Sequence, residues 1–231
     1  MSEENKFLSE PKLDIKTLLS VLIGIALVFA VMPFINSFIF YNTADQKTAY
    51  YLSILASNSL FFLVILVIKY FRGLAWLDLG WRNTEEGRAL RDILKIWLFT
   101  MFVNMIYIAS LLARGIMPPE NALLKLLTEP TWEMLALNII LIAVIAPIIE
   151  ETLFRGILLG SLKKYCGSWT AIIISAAIFS ALHMELFGFI PRLALGIGLG
   201  YLYEKYNSLL PAIGLHGFNN FLAVLAISFS S

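Results

Sequence analysis

Long apolar runs separated by short polar links organise this chain. Seven runs approach the roughly 20 apolar residues that a helix needs to cross a bilayer, at about 18–40, 51–68, 93–113, 134–162, 169–187, 190–203 and 209–227. The sixth is short, so the pattern predicts about seven spans, within a range of six to eight. None of the runs alternates with period two, which argues against a barrel. The expected fold is all-α, a polytopic transmembrane helical bundle. The link after the third run is punctuated by Pro118, Pro119 and Pro130, with a short amphipathic helix expected around 122–127. The first residues mix acidic and basic side chains and precede an apolar run too long for a cleavable signal, so that run reads as a span. The chain is expected to form one integral membrane domain over 1–231, with a motif-bearing core over 132–229.

Composition agrees with lipid as the solvent. Hydrophobic residues make up 59% and charged residues 14%, with a mean hydropathy of +0.81; soluble domains carry about 45–50% and about 25%. A net charge of +1 gives no field to attract nucleic acid. The single cysteine, Cys166, excludes an intramolecular disulfide and any multi-cysteine metal site.

The basic residues set an expected orientation. Lys6, Lys12 and Lys16 precede the first run, and Lys69, Arg72, Arg82, Arg88, Arg91 and Lys95 cluster between the second and third. Lys163 and Lys164 follow the fourth, and Lys205 follows the sixth. The opposite side holds Lys47, Arg114, Lys125 and Arg192. The chain is therefore expected in the cell membrane with its N-terminus cytoplasmic and its C-terminus outside.

Against this background a few polar residues stand out, because a charge at the bilayer centre costs roughly 2.5–3.5 kcal/mol on insertion scales. Glu150, Glu151 and Arg155 fall in the fourth run, His183 in the fifth, and His216 with Asn220 in the seventh; the two histidines are the chain's full complement. Glu150 lies about 13 residues from Lys163, or about 20 Å along a helix. Similar counting from Ser168 and Lys205 puts His183 and Asn220 at about 22 Å and His216 at about 17 Å. Agreement within about one turn is what a shared site requires.

Helix geometry separates the two glutamates. Glu151 and Arg155 are i and i+4, share a face, and read as a structural ion pair. Glu150 points about 100° away and is left as the available carboxylate. His216 and Asn220 are also i and i+4, and Phe179 stands one turn before His183, where it can wall the pocket. Taken singly, the ion pair would be an ordinary buried one, and a lone membrane histidine is often a helix–helix hydrogen bond. Together the residues are harder to dismiss as packing. Glu185 and Asn219 read as bystanders. The spacings Gly156/Gly160 and Gly196/Gly200 suit close helix packing.

Several familiar patterns fail. HExxH is absent, and His183-Met184-Glu185 has the wrong spacing for it. The zinc deaminase pattern lacks its cysteines. Asp14, Asp45, Asp78 and Asp92 lie outside the runs or at their edges, against a membrane aspartyl dyad. No serine occupies a GxSxG elbow.

Three short motifs do appear in order. Glu150 to Arg155 reads EExxxR, Phe179 to His183 reads FxxxH, and His216 to Asn220 reads HxxxN. Together they resemble the CAAX protease and bacteriocin-processing family, also called CPBP or Abi, over roughly 148–220. The resemblance implies an intramembrane glutamate-type endopeptidase with an all-helical core and no cofactor. It implies Glu150 and His183 as the groups that activate water, and His216 and Asn220 as the groups that stabilise the oxyanion. The expected partners are the bilayer and a membrane-associated peptide or protein, CAAX-like or a precursor or signalling peptide; the sequence sets no oligomeric state. A zinc enzyme, with Glu150, His183 and His216 as ligands, is the mechanistic alternative. A proton-coupled transporter or a non-proteolytic scaffold or immunity protein is the functional one, although transporters usually repeat their polar features in both halves.

Overall fold

The computed structural model describes residues 13–117, 128 and 130–229; the helix expected around 122–127 lies outside them. Seven helices make up the described bundle. They are α1 (Ile15–Asn42), α2 (Gln46–Arg72), α3 (Glu86–Leu112), α4 (Trp132–Cys166), α5 (Ser168–Ala181), α6 (Phe189–Tyr206) and α7 (Leu210–Ser228). A 3-10 turn at Trp76–Leu79 lies in the link between α2 and α3. All but α5 and α6 are long and apolar enough to cross a membrane. Their outward faces carry exposed Leu19, Ile23, Phe34, Leu94, Leu98 and Phe102, as a surface solvated by lipid chains requires. The chain is a multi-pass membrane protein.

Local chemistry sets the helix ends. Asp14 and Asp45 cap α1 and α2, their carboxylates accepting from the backbone N–H of Thr17 at 2.9 Å and Thr48 at 2.8 Å. Gly73, with φ of 60°, closes α2 in the left-handed region that glycine tolerates. Pro211 opens α7, where its missing N–H costs nothing.

The Asp14 cap also ties two helices together. Arg72, the last residue of α2, donates from Nη2 to Asp14 Oδ2 at 2.6 Å and from Nε to Thr17 Oγ1 at 3.0 Å. The Thr17 N–H, followed by the Thr17 hydroxyl and Arg72, holds the Asp14 carboxyl below its usual range. A depressed carboxyl contributes stability above its unfolded pKa and loses it as pH falls through the folded one. Acidification below the ordinary carboxylate range should therefore lower amide protection, relative to the intrinsic exchange rate at each pH, in the first turn of α1 and the last turn of α2. Hydrogen exchange at stepped pH measures this, and an Asp14→Asn variant should show the lowered protection already at neutral pH.

The core gathers around α4. Leu153, Phe154, Ile157 and Leu158 are buried against Val21 and Ile25 of α1, Ile65 and Ile68 of α2, and Phe179 of α5. Two stretches of α4, Ile139–Ile145 and Thr152–Leu159, are π-helical, which the apolar pattern does not signal. Such wide turns re-aim side chains and recur at functional sites.

The glycine pairs differ in what they admit. Gly196 and Gly200 of α6 face α5, where a Cβ would lie 2.9 Å from Ala176 Cβ and 3.0 Å from Ile172 Cγ2. They let those helices pack as a tight hairpin. Gly156 instead receives the 3-10 turn, with a built Cβ 2.7 Å from the Leu79 carbonyl oxygen, and Gly160 receives Leu13. The second pair thus accommodates link segments rather than a helix.

The fifth span is shorter than its apolar pattern. Helix α5 ends at Ala181, and His183 lies in the following turn, outside the helix in which the sequence places it. Met184, with φ of 55°, reverses the chain there. The run 182–187 is apolar enough to continue a helix, but the αL conformation at Met184 breaks it, and α6 starts at Phe189.

Candidate active site

Glu150 and Glu151 leave α4 on different sides, as consecutive helical residues must. Glu151 is wholly inside the protein, while the Glu150 side chain is 26% exposed and lines a cavity of about 530 Å³. The same cavity is lined by His183, His216, Asn219, Asn220 and Phe179. The structure therefore brings together all four residues implied as catalytic, from α4, α7 and the turn after α5.

Glu151 does more than pair with Arg155. Its Oε1 accepts from Arg155 Nη1 at 2.9 Å and from His216 Nδ1–H at 2.8 Å. One carboxylate oxygen thus neutralises the arginine and fixes the orientation of the imidazole. That fixed ring directs His216 Nε2 towards Glu150 Oε2, 3.7 Å away. Arg155 completes its own bonding by donating from Nη2 to the Gly196 carbonyl at 3.1 Å, and its guanidinium lies 4.7 Å from the Phe179 ring centroid. The EExxxR spacing signals the ion pair; the histidine link joins residues 65 positions apart, and no local spacing could reveal it.

His183 is oriented from its own helix end. Its Nδ1 lies 2.8 Å from the Phe179 carbonyl oxygen, which can only accept, so Nδ1 carries a proton and the neutral ring presents its lone pair at Nε2. The Phe179 ring meets His183 and His216 edge to face, with centroids 4.9 and 5.7 Å apart. It walls the cavity and spaces the two imidazoles.

Asn220 donates from Nδ2 to the Ile142 carbonyl at 3.0 Å, within the first π-helical stretch of α4. One amide N–H is used there and the second remains available. The same stretch accepts α7 closely, since a Cβ on Gly217 would sit 2.7 Å from the Ala143 carbonyl oxygen. Backbone cannot retreat as a side-chain tip can. Gly217→Ala should therefore lower stability by about 1–3 kcal/mol and shift the neighbouring His216; unfolding in detergent micelles, compared with wild type, reads the loss.

Two residues were undervalued by sequence reasoning. Glu185 pairs with Arg192 at 2.7 Å, and Arg192 lines the cavity. Glu185 is thus part of the turn that holds His183, rather than a bystander. Asn219 lines the cavity beside Asn220. An apolar groove between α1 and α2 shares Tyr50, Ile54 and Ser57 with the cavity and adds Phe29, Met32 and Phe61. Among the described residues, no three His, Cys, Asp or Glu side chains are grouped closely enough to hold a metal ion.

Comparison with known proteins is consistent with this arrangement. Residues 132–222 match the family model described as type II CAAX prenyl endopeptidase Rce1-like. A Bacillus subtilis (strain 168) protein named "Putative membrane peptidase YdiL" is 30% identical over 89 residues, covering 38% of this chain and 36% of that protein. An Escherichia coli "Uncharacterized 24.3 kDa protein" is 30% identical over 102 residues, covering 42% of this chain and 46% of that protein. The matched stretch spans less than half the length of either relative. No solved structure shows a significant match.

Proposed function

Since residues 132–222 match the Rce1-like family model of type II CAAX prenyl endopeptidases, we propose that this chain is an intramembrane endopeptidase in which Glu150 and His183 activate water. The observation that carries the reading is the division of labour between adjacent glutamates. Glu151 is committed to Arg155 and His216, whereas Glu150 faces the cavity without a cation closer than His216 Nε2 at 3.7 Å.

In this mechanism Glu150 takes a proton from a water held between it and His183 Nε2. The water oxygen bonds to the peptide carbonyl carbon, and the carbonyl oxygen becomes an oxyanion. His216 Nε2–H and the free Asn220 amide N–H donate to that oxygen; preorganised donors in a dry site are worth about 2.7–4 kcal/mol each. Donation from Nε2 while Nδ1 is held by Glu151 requires His216 to be an imidazolium. The charge count permits it: two carboxylates, Arg155 and a cationic His216 form a neutral quartet. Glu150 then passes its proton to the leaving nitrogen as the C–N bond breaks, the second water proton passes from the new carboxyl through His183 Nε2 to the freed amine, and the carboxylate and ammonium products depart.

The chemistry calls for an extended peptide rather than a helix, because a helix keeps its amide groups in internal hydrogen bonds. The apolar groove between α1 and α2 is the approach from the lipid side. Nothing in this chemistry requires a metal, and the proposed site acts without one.

Comparative proteomics of membranes carrying wild-type protein or Glu150→Gln tests the function. The expected result is a membrane-associated precursor that accumulates with the variant and whose cleaved form appears with wild type. Identical proteomes, together with no cleavage of a broad panel of membrane-bound peptides by purified wild type, would favour a non-enzymatic scaffold.

A further inference from the structure

A second cavity, also of about 530 Å³, opens at the end of the bundle where α3 begins and α6 finishes, and it shares no lining residue with the catalytic one. Arg88, Arg91 and Lys95 line it from α3, and Lys205 lines it from α6. Its carboxylates, Glu85 and Asp92, are already engaged. Glu85 holds Arg88 at 3.0 Å, and Asp92 holds Lys205 at 2.6 Å and the Tyr206 hydroxyl at 2.7 Å. Arg91 and Lys95, one turn apart and both exposed, make no ion pair with a carboxylate among the described residues. The cleft is complementary to an anion.

The same face of α3 says which kind of anion. Leu98 and Phe102 lie seven residues beyond Arg91 and Lys95, and both are 54% exposed. Seven residues return a helix to within about 20° of its starting direction, so each cation is followed, about 10 Å deeper, by an outward apolar side chain. We infer that the cleft binds the phosphate of an anionic phospholipid, with an acyl chain running along Leu98 and Phe102. Inorganic phosphate would find the cations but gain nothing from the apolar track. A zwitterionic lipid would meet the track but bring an ammonium beside surplus positive charge. Basic pockets between spans at a membrane surface are suited to anionic headgroups. Because Lys205 and Tyr206 clamp α6 to Asp92 of α3 at the cleft, a bound headgroup would brace the α3–α6 contact.

The test uses the purified full chain in nanodiscs of equal phosphatidylglycerol and phosphatidylcholine, stripped stepwise by detergent and weighed by native mass spectrometry. Wild type should retain phosphatidylglycerol in preference to phosphatidylcholine. Arg91→Gln/Lys95→Gln should cut that retention roughly tenfold or more, while Lys16→Gln/Lys164→Gln, which removes two cations elsewhere at the same end, should leave it intact. Arg91→Lys/Lys95→Arg keeps the charge and should keep the lipid. Thermal unfolding in phosphatidylcholine alone checks that all variants are folded. Equal loss from both neutralising pairs, or no preference in wild type, overturns the site. Protection of wild type by inorganic phosphate as strong as that by phosphatidylglycerol overturns the lipid assignment and makes the ligand a free anion. None of these measurements depends on proteolysis, so this inference and the proposed function fail separately.

Discussion

Glu150→Gln should lower kcat on a cleaved peptide by about a thousandfold, within the range for loss of a positioned general base, while leaving KM and the unfolding midpoint near their wild-type values. Glutamine keeps the size of the side chain and an acceptor oxygen, so the cavity and the approach to His216 Nε2 survive. It cannot take the proton from water. Glu150 is partly exposed to the cavity and its one close ionic partner is His216 Nε2 at 3.7 Å, so the substitution gives up a single long contact and leaves the buried Glu151–Arg155 pair intact. Glu151→Gln provides the contrast, because it weakens the acceptor for both Arg155 and His216 and should disturb stability as well as rate. A folded Glu150→Gln enzyme that retains more than a tenth of wild-type turnover would remove Glu150 as the base.

The lipid-facing bundle was readable from hydropathy because each span must bury its own backbone hydrogen bonds and so leaves a long apolar signature. The gathering of Glu150, His216 and Asn220 was readable because fixed rise per residue converts spacing into depth. His183 reached the same level by a different route. Counting assumed a helix through 169–187, whereas the helix stops at Ala181 and a turn carries the imidazole. The rise from Ser168 still approximates its depth, since His183 lies two residues past the helix end. Contacts between distant parts of the chain were not readable. The bond from Glu151 to His216 depends on how α7 rotates against α4, which the Gly217 contact and the π-helical stretch decide. The Glu185–Arg192 pair escaped notice for a related reason, because its partners are set by a chain reversal at Met184 that has no hydropathy signal. Neither of the π-helical stretches has a composition that distinguishes it from α-helix.

Arg155→Met should be the most destabilising of the substitutions considered, by about 3–5 kcal/mol, the usual result of removing one partner from a buried ion pair. Arg155 and Glu151 both have side chains with no exposure, so water cannot replace the lost cation. The Glu151 carboxylate would keep the His216 Nδ1–H as its one strong donor. Its other oxygen, Oε2, is already buried without a hydrogen-bond partner. The substitution also strips the Gly196 carbonyl of its arginine donor and Phe179 of the guanidinium beside its ring. Unfolding in mixed micelles measures the loss. A double variant, Glu151→Leu/Arg155→Met, separates the cost of an unpaired charge from the value of the pair. It removes both ions and should recover much of the stability, since apolar replacement of a buried pair is often neutral or better. It should nevertheless remain inactive, because His216 Nδ1 loses its acceptor and the ring is free to turn away from Glu150. Recovery of stability without activity would identify the pair as a device that orients His216. If Arg155→Met alone costs less than about 1 kcal/mol, the pair is behaving as a solvated one and the dry, preorganised site proposed above is wrong.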